Sequence, residues 1–161
     1  MSDGRPRESQ QGPYRFEADT WIDVPASIDG RARPGNPQES SQHWDGLREG
    51  RVMLQRCGSC HRYTHYPVGG CQWCGGPLHF EEVDGAATVN TWTLSLLEFG
   101  PGMETPYLVA IVNPDCEPGL QLMTNLVRCR VGDVRIGMRV RPLFFHGNDR
   151  SLLFFEPAPA E

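Results

Sequence analysis

The chain has 161 residues, 39% hydrophobic and 22% charged, with a formal net charge of −5 at pH 7. That fits one ordinary globular domain or two small ones, and 18 Gly with 14 Pro favour short strands and turns over long helices. No run approaches the ~18 apolar residues that cross a bilayer. The start Met1-Ser2-Asp3-Gly4-Arg5-Pro6 lacks the apolar stretch of a signal peptide, so a cytoplasmic, membrane-free protein is expected. The acidic balance disfavours a non-specific nucleic-acid binder, whose affinity comes from neutralising phosphates. All 15 basic residues are Arg, which removes a catalytic lysine, Schiff-base chemistry and a Walker-type phosphate loop.

Residues 1–35 are polar and rich in Gly, Pro, Arg and Asp, and are expected to form an extended N-terminal arm. Within it, Tyr14-Arg15-Phe16 and Trp21-Ile22-Asp23-Val24 are apolar enough to lie on a surface, either the chain's own body or a partner. Residues 36–50 predict a short helix: Asn36 suits the cap, Pro37 the first helical position, Glu39 the third residue after the cap, and Gly50 the stop. Trp44 and Leu47 share one face, and so thin an apolar stripe must dock on something to be stable.

Residues 51–82 contain four of the six cysteines. Cys57-Gly58-Ser59-Cys60 and Cys71-Gln72-Trp73-Cys74 form C-x2-C-x10-C-x2-C. A two-residue spacing lets both thiolates of a tight turn point at one ion, and two such knuckles complete a tetrahedron of sulfurs at about 2.3 Å from zinc. Disulfides are rare in the expected compartment, and paired motifs argue against a redox dithiol. The metal residues expected are Cys57, Cys60, Cys71 and Cys74, holding a structural Zn2+ whose closed coordination leaves no position for chemistry.

Residues 83–157 read as strands: Ala87–Leu94, Tyr107–Val112, Leu120–Val127, Met138–Phe145 and Ser151–Phe155, separated by turn signals such as Gly100-Pro101-Gly102 and Asn113-Pro114-Asp115. Five short strands suggest a small closed barrel, with the five-stranded OB-fold leading. The fold class expected is thus mainly β: arm, short helix, zinc ribbon and barrel, with a tail at 158–161.

No catalytic set emerges. Cys116 and Cys129 read as small buried apolar residues. His61 and His65 flank the first knuckle and read as surface groups or supports behind it. His43, His79 and His146 stand isolated. Glu98, Glu104, Glu117 and the pair Glu81-Glu82 read as solvated charge. Arg128, Arg130, Arg135, Arg139 and Arg141 form a basic cluster: a solvated barrel face, or a contact for an anionic ligand or an acidic partner.

Taken in order, Trp44–Gly50, Leu54-Gln55-Arg56-Cys57, the ribbon, Tyr66-Pro67, Thr91-Trp92-Thr93, Thr105–Val112, Met123–Val127, Ile136–Val140 and Phe154-Phe155-Glu156-Pro157 resemble the zinc-ribbon/OB-fold family tied to acyl-CoA metabolism, called domain of unknown function 35. The likeness runs over roughly 40–157. It implies a small non-catalytic accessory subunit pairing with a thiolase-superfamily protein (thiolase, acyltransferase or aldolase), with some relatives joining hot-dog-fold hydratases. The partner carries the catalysis; the small subunit helps bind acyl-CoA or assemble the complex. Aromatics near the ribbon (Tyr63, Tyr66, Trp73, Phe80) could then stack on a flat group, and Arg56 and Arg62 would suit the nucleotide end. Arg56, Arg62, Tyr63 and Trp73 are the ligand-contact candidates. The alternative is a single-stranded nucleic-acid-binding OB-fold protein, which needs a positive groove behind its aromatics. Residues 83–161 carry 6 Arg against 9 Asp and Glu, which speaks against it.

Overall fold

The structure, a computed structural model, describes residues 17–31 and 37–159. The expected Asn36 cap and the Tyr14–Phe16 patch lie outside the described residues.

Helix α1 (Pro37–Arg48) carries Glu39 in its first turn and Arg48 in its last, matching the helix dipole. Its inward face is Ser40, His43 and Leu47, all buried, and it docks on the ribbon's central strand and on the barrel. It ends at Gly50 in a paired cap, with the Gly50 N–H donating to the Leu47 carbonyl at 3.3 Å and the Arg51 N–H to the Gly46 carbonyl at 2.8 Å.

With β1 being the arm strand Trp21–Ile22, the ribbon follows the helix as an antiparallel sheet in which β2 (Val52–Cys57) lies between β3 (Tyr63–Thr64) and β4 (Leu78–Val83). Strand β2 points in two directions. Val52 and Leu54 at its base are 2% and 1% exposed and belong to the barrel's core cluster, while Cys57 at its tip enters the first knuckle.

The barrel uses β5 (Ala87–Ser95), β6 (Tyr107–Pro114), β7 (Leu122–Leu126), β9 (Arg139–His146) and β10 (Ser151–Pro157), closed in the order β10-β7-β6-β5-β9. All neighbours are antiparallel except β7 and β10, which meet in parallel at Leu126 and Phe155. This is the five-stranded OB topology. Period-2 alternation selects the core: Leu108, Ala110 and Val112 of β6 point in, joined by Val89, Leu126, Val140 and Phe155. Sheet pairing is shorter over 120–127 than the apolar pattern suggests. The Leu120 N–H closes a turn onto the Glu117 carbonyl, and Arg128 takes φ +54°, which breaks the extended path just beyond β7.

The described part of the arm, residues 17–31, lies on the chain's own barrel. β1 pairs with β8 (Cys129–Arg130), just before a 3-10 turn at Val131–Asp133; Ile22 and Cys129 face inward and Trp21 and Arg130 outward. Further on, Ile28 is fully buried against Val127 and Phe154, a contact on the order of 1.5–3 kcal/mol. Arg31 then donates to the Gly102 carbonyl at 2.9 Å and to Asn125 Oδ1 at 3.1 Å.

Ribbon and barrel meet at Gly85, which is buried with φ +76°. A β-carbon there would sit 2.9 Å from Val52 Cγ2 and 3.0 Å from Pro142 Cγ. Gly85→Ala combines overpacking with a disfavoured backbone, and is expected to lower stability by roughly 1–3 kcal/mol. Urea unfolding reads this as a lower midpoint at constant slope; an unchanged midpoint would mean that the junction relaxes freely.

Candidate metal centre and its surroundings

The two knuckles are built alike. In the first, the His61 N–H donates to the Cys57 carbonyl at 3.0 Å; in the second, the Gly75 N–H donates to the Cys71 carbonyl at 2.8 Å. The fourth residue after the leading cysteine has positive φ in both, +61° at His61 and +73° at Gly75. Glycine meets that requirement without strain and His61 meets it against preference. Backbone N–H groups of Cys60 and Ser59 point at Cys57 Sγ, each at 3.4 Å, and hold the thiol down at about 6. Cys57 and Cys71 are buried, Cys60 is half-buried and Cys74 exposed.

The four sulfurs lie within 4.8 Å of one another, with Cys57–Cys74 at 3.5 Å and Cys60–Cys71 at 3.6 Å. A tetrahedral zinc with sulfurs at 2.3 Å requires edges of about 3.8 Å. The donor set and its spacing therefore fit a four-thiolate ion, with hydrogen bonds already favouring the anionic form at Cys57.

The other sequence-selected residues fall into two groups. Arg56 and Tyr63 converge on Glu81: Arg56 Nη1 reaches its two oxygens at 3.0 and 3.1 Å, and the Tyr63 hydroxyl donates to Oε1 at 2.8 Å. Tyr63 and then Arg56 hold the Glu81 carboxyl below its usual range, while burial and Glu81 push the Tyr63 phenol up to about 12. Arg56 also donates to the His61 carbonyl at 3.0 Å. This trio clamps β2, β3 and β4 together behind the knuckle, so Glu81 is not the solvated charge that its sequence suggested. Arg62 and Trp73 form the second group. The guanidinium lies 3.9 Å from the indole centroid and pairs with Glu117 Oε1 at 3.2 Å. Glu117 also accepts from the Tyr63 N–H at 3.4 Å, tying the loop after β6 to the ribbon. That long-range role has no signature in the local sequence. Tyr66 and Trp73 are exposed; Tyr63 and Phe80 are half-buried.

A second feature escaped the sequence reading. Between α1, the segment His65–Pro67 and strands β7 and β10 lies an apolar cleft of about 390 Å3. His43 and His65 meet there with ring centroids 5.8 Å apart, so His43 is not isolated and His65 is half-buried in the cleft wall. His43 Nδ1 donates to the Met53 carbonyl at 3.0 Å, and the Trp44 indole N–H donates to Ser40 Oγ at 3.0 Å. The available signal was spacing: His43 lies one helical turn before Leu47. Burial lowers both imidazoles, and His65, also repelled by His43, falls to about 4. Cys116 and Cys129 are pushed up by burial to about 11 each, as suits inert packed thiols.

A four-cysteine ribbon seated on an OB barrel defines the class. Residues 44–79 match the family model described as "ChsH2, rubredoxin-like zinc ribbon domain", and residues 80–145 match "ChsH2, C-terminal OB-fold domain". The chain belongs to this zinc-ribbon/OB-fold family, domain of unknown function 35. It is 30% identical over 112 residues to a "Probable enoyl-CoA hydratase alpha subunit" of Thermomonospora curvata, covering 68% of this chain and 34% of that one. It is 28% identical over 137 residues to the "3-oxo-4,17-pregnadiene-20-carboxyl-CoA hydratase alpha subunit" of Mycobacterium tuberculosis, covering 83% and 43%. The chain thus spans about a third and about two fifths of the length of these two relatives. A solved chain titled "Ltp2-ChsH2(DUF35) aldolase" superposes with a TM-score of 0.70 at 27% identity, over 78% of this chain and 98% of that one. Among the described residues, no helix is long and apolar enough to cross a membrane.

The half-buried His65 carries a pH prediction. The unfolded chain protonates His65 near the usual 6.5 and the folded chain only near 4. The unfolded state therefore binds the extra proton, and stability present above pH 6.5 falls as pH drops toward 4, by at most about 3 kcal/mol from this residue. Urea midpoints across this window should decline less in His65→Phe than in the parent; equal declines would refute the assignment.

Proposed function

We propose that this chain is a non-catalytic accessory subunit. It joins a thiolase-superfamily partner (thiolase, acyltransferase or aldolase) and assists acyl-CoA binding or assembly of the complex in the cytoplasm. The observation that carries this reading is the superposition with the chain titled Ltp2-ChsH2(DUF35) aldolase, which extends over 98% of that chain. Two further relatives are named as alpha subunits of CoA-ester hydratases, which supports a role within a hetero-oligomer.

Cys57, Cys60, Cys71 and Cys74 would hold one structural Zn2+. Four thiolates fill a tetrahedral ion, so it supplies cross-linking between the two knuckles and no reactive coordination position. In so small a sheet the binding energy of the ion is folding energy. The chain's own residues stiffen the surface around it: Glu81 gathers Arg56 and Tyr63, and Glu117 orients Arg62 beside Trp73. In this reading Arg56 and Tyr63 shape the ribbon surface from behind, and the exposed Trp73 with Arg62 forms the part that a CoA ester or a partner would touch. The exposed apolar side chains Leu97 and Phe99, at the other end of the β5–β6 pair from Glu117, offer a separate surface that a partner could cover.

Elemental analysis of the pure chain should find one zinc per chain. Cys57→Ser should lose it, together with the ribbon's protection in hydrogen exchange; a folded, metal-loaded Cys57→Ser protein would overturn the ligand assignment. Co-expression with candidate thiolase-superfamily proteins, purified on one tag, tests the accessory role. A stoichiometric complex whose CoA-ester turnover needs both chains is expected. Turnover by this chain alone would overturn the reading.

A further inference from the structure

The arginine cluster of the barrel is only partly used within the fold. Arg128 and Arg141 share Glu156, at 3.2 and 2.7 Å, and Arg139 grips Asp115 with two parallel bonds of 2.8 and 2.6 Å. Arg135 reaches no closer than 3.5 Å to the Asp133 main-chain carbonyl. Arg130 projects outward from β8, directly across the β1–β8 pair from Trp21, which is 53% exposed. Directly opposed residues of an antiparallel pair place their side chains on one face as neighbours. Trp21, Arg128, Arg130, Arg135 and Arg139 line an open cleft of about 730 Å3 in which Asp133 is the sole lining carboxylate among the described residues. Four guanidinium groups thus line this cleft, in a chain whose net charge is −5, and the carboxylates that hold two of them, Glu156 and Asp115, lie outside its lining.

Guanidinium forks recognise phosphate oxygens in pairs, and a flat exposed indole offers a stacking surface to a base. The cleft has the volume of a small-molecule site. A longer polyanion would run out of it along a chain of net charge −5, which repels its phosphates. We propose that this cleft binds a nucleoside diphosphate, with the base stacked on Trp21 and the phosphates held by Arg130 and Arg135, while Arg128 and Arg139, fixed by their carboxylates, define its rim. The free nucleotide and the nucleotide end of coenzyme A share this chemistry. The site needs neither the metal nor a partner, and so goes beyond the accessory reading.

The test is calorimetric titration of the full-length chain with ADP, 3′-phosphoadenosine 5′-diphosphate and coenzyme A. Binding of all three with similar affinity supports a free-nucleotide site. A preference of about tenfold or more for the two 3′-phosphorylated ligands supports the coenzyme A source. The double variant Arg130→Gln/Arg135→Gln should weaken binding at least about tenfold. Trp21→Ala should weaken it, and Trp21→Phe should retain most of it, which separates stacking from any loss of the arm. Several outcomes overturn the site: unchanged affinity in the double arginine variant, no heat at millimolar ligand, or tighter binding of a short single-stranded oligonucleotide than of the mononucleotide. Loss in Arg62→Gln or Trp73→Ala instead would also overturn it, moving the nucleotide to the ribbon while leaving the accessory reading intact. A failed complex with nucleotide binding retained would sink the accessory reading alone.

Discussion

The packing of Val52 and Leu54 into the barrel core is the contact on which the architecture rests. These two side chains belong to the same buried cluster as Leu108, Leu126, Val140 and Phe155. Three residues after Leu54, the same strand delivers Cys57 to the metal knuckle. A three-stranded sheet of this size buries too little apolar surface to be stable alone. Its base is held by burial in the barrel, and its tip brings Cys57 into a cluster of four sulfurs that one ion would cross-link.

The polar contacts around the ribbon then refine its orientation. Arg56 and Tyr63 on Glu81 hold its three strands in register, and Arg62 on Glu117 ties it sideways to the loop that follows β6. Each of these pairs is partly exposed and on its own contributes little to stability. Their effect is geometric. They leave Trp73, with Arg62 stacked on it, displayed on a surface whose backbone is already fixed.

The parts of the molecule that could be read from the chain are those with short-range rules. The C-x2-C pairs carry their own turn geometry, and the alternation in Leu108–Val112 names the inward face directly. The helix between Pro37 and Arg48 follows from a proline at its start and a glycine past its end. What could not be read depends on residues brought together from far apart. Glu81 looked solvated because nothing local reveals Arg56 or Tyr63 across the sheet. His43 and His65 looked unrelated because only the docking of α1 joins them. The arm was open to two interpretations, and the burial of Ile22 and Ile28 resolves these residues onto the chain's own barrel.

That seating of the arm also sets an order of events in folding. The Arg150 guanidinium reaches the Ile28 carbonyl across a separation of 122 residues, and the Ile28 side chain needs Phe154 of β10 as its floor. Extra loop length adds only slowly to the entropy of closure, but such distant pairings are rewarded only after the intervening structure exists. The segment around Ile28 must therefore wait for β10. The hairpins β5–β6 and β9–β10 can form early, and the arm closes over the finished barrel as the final step.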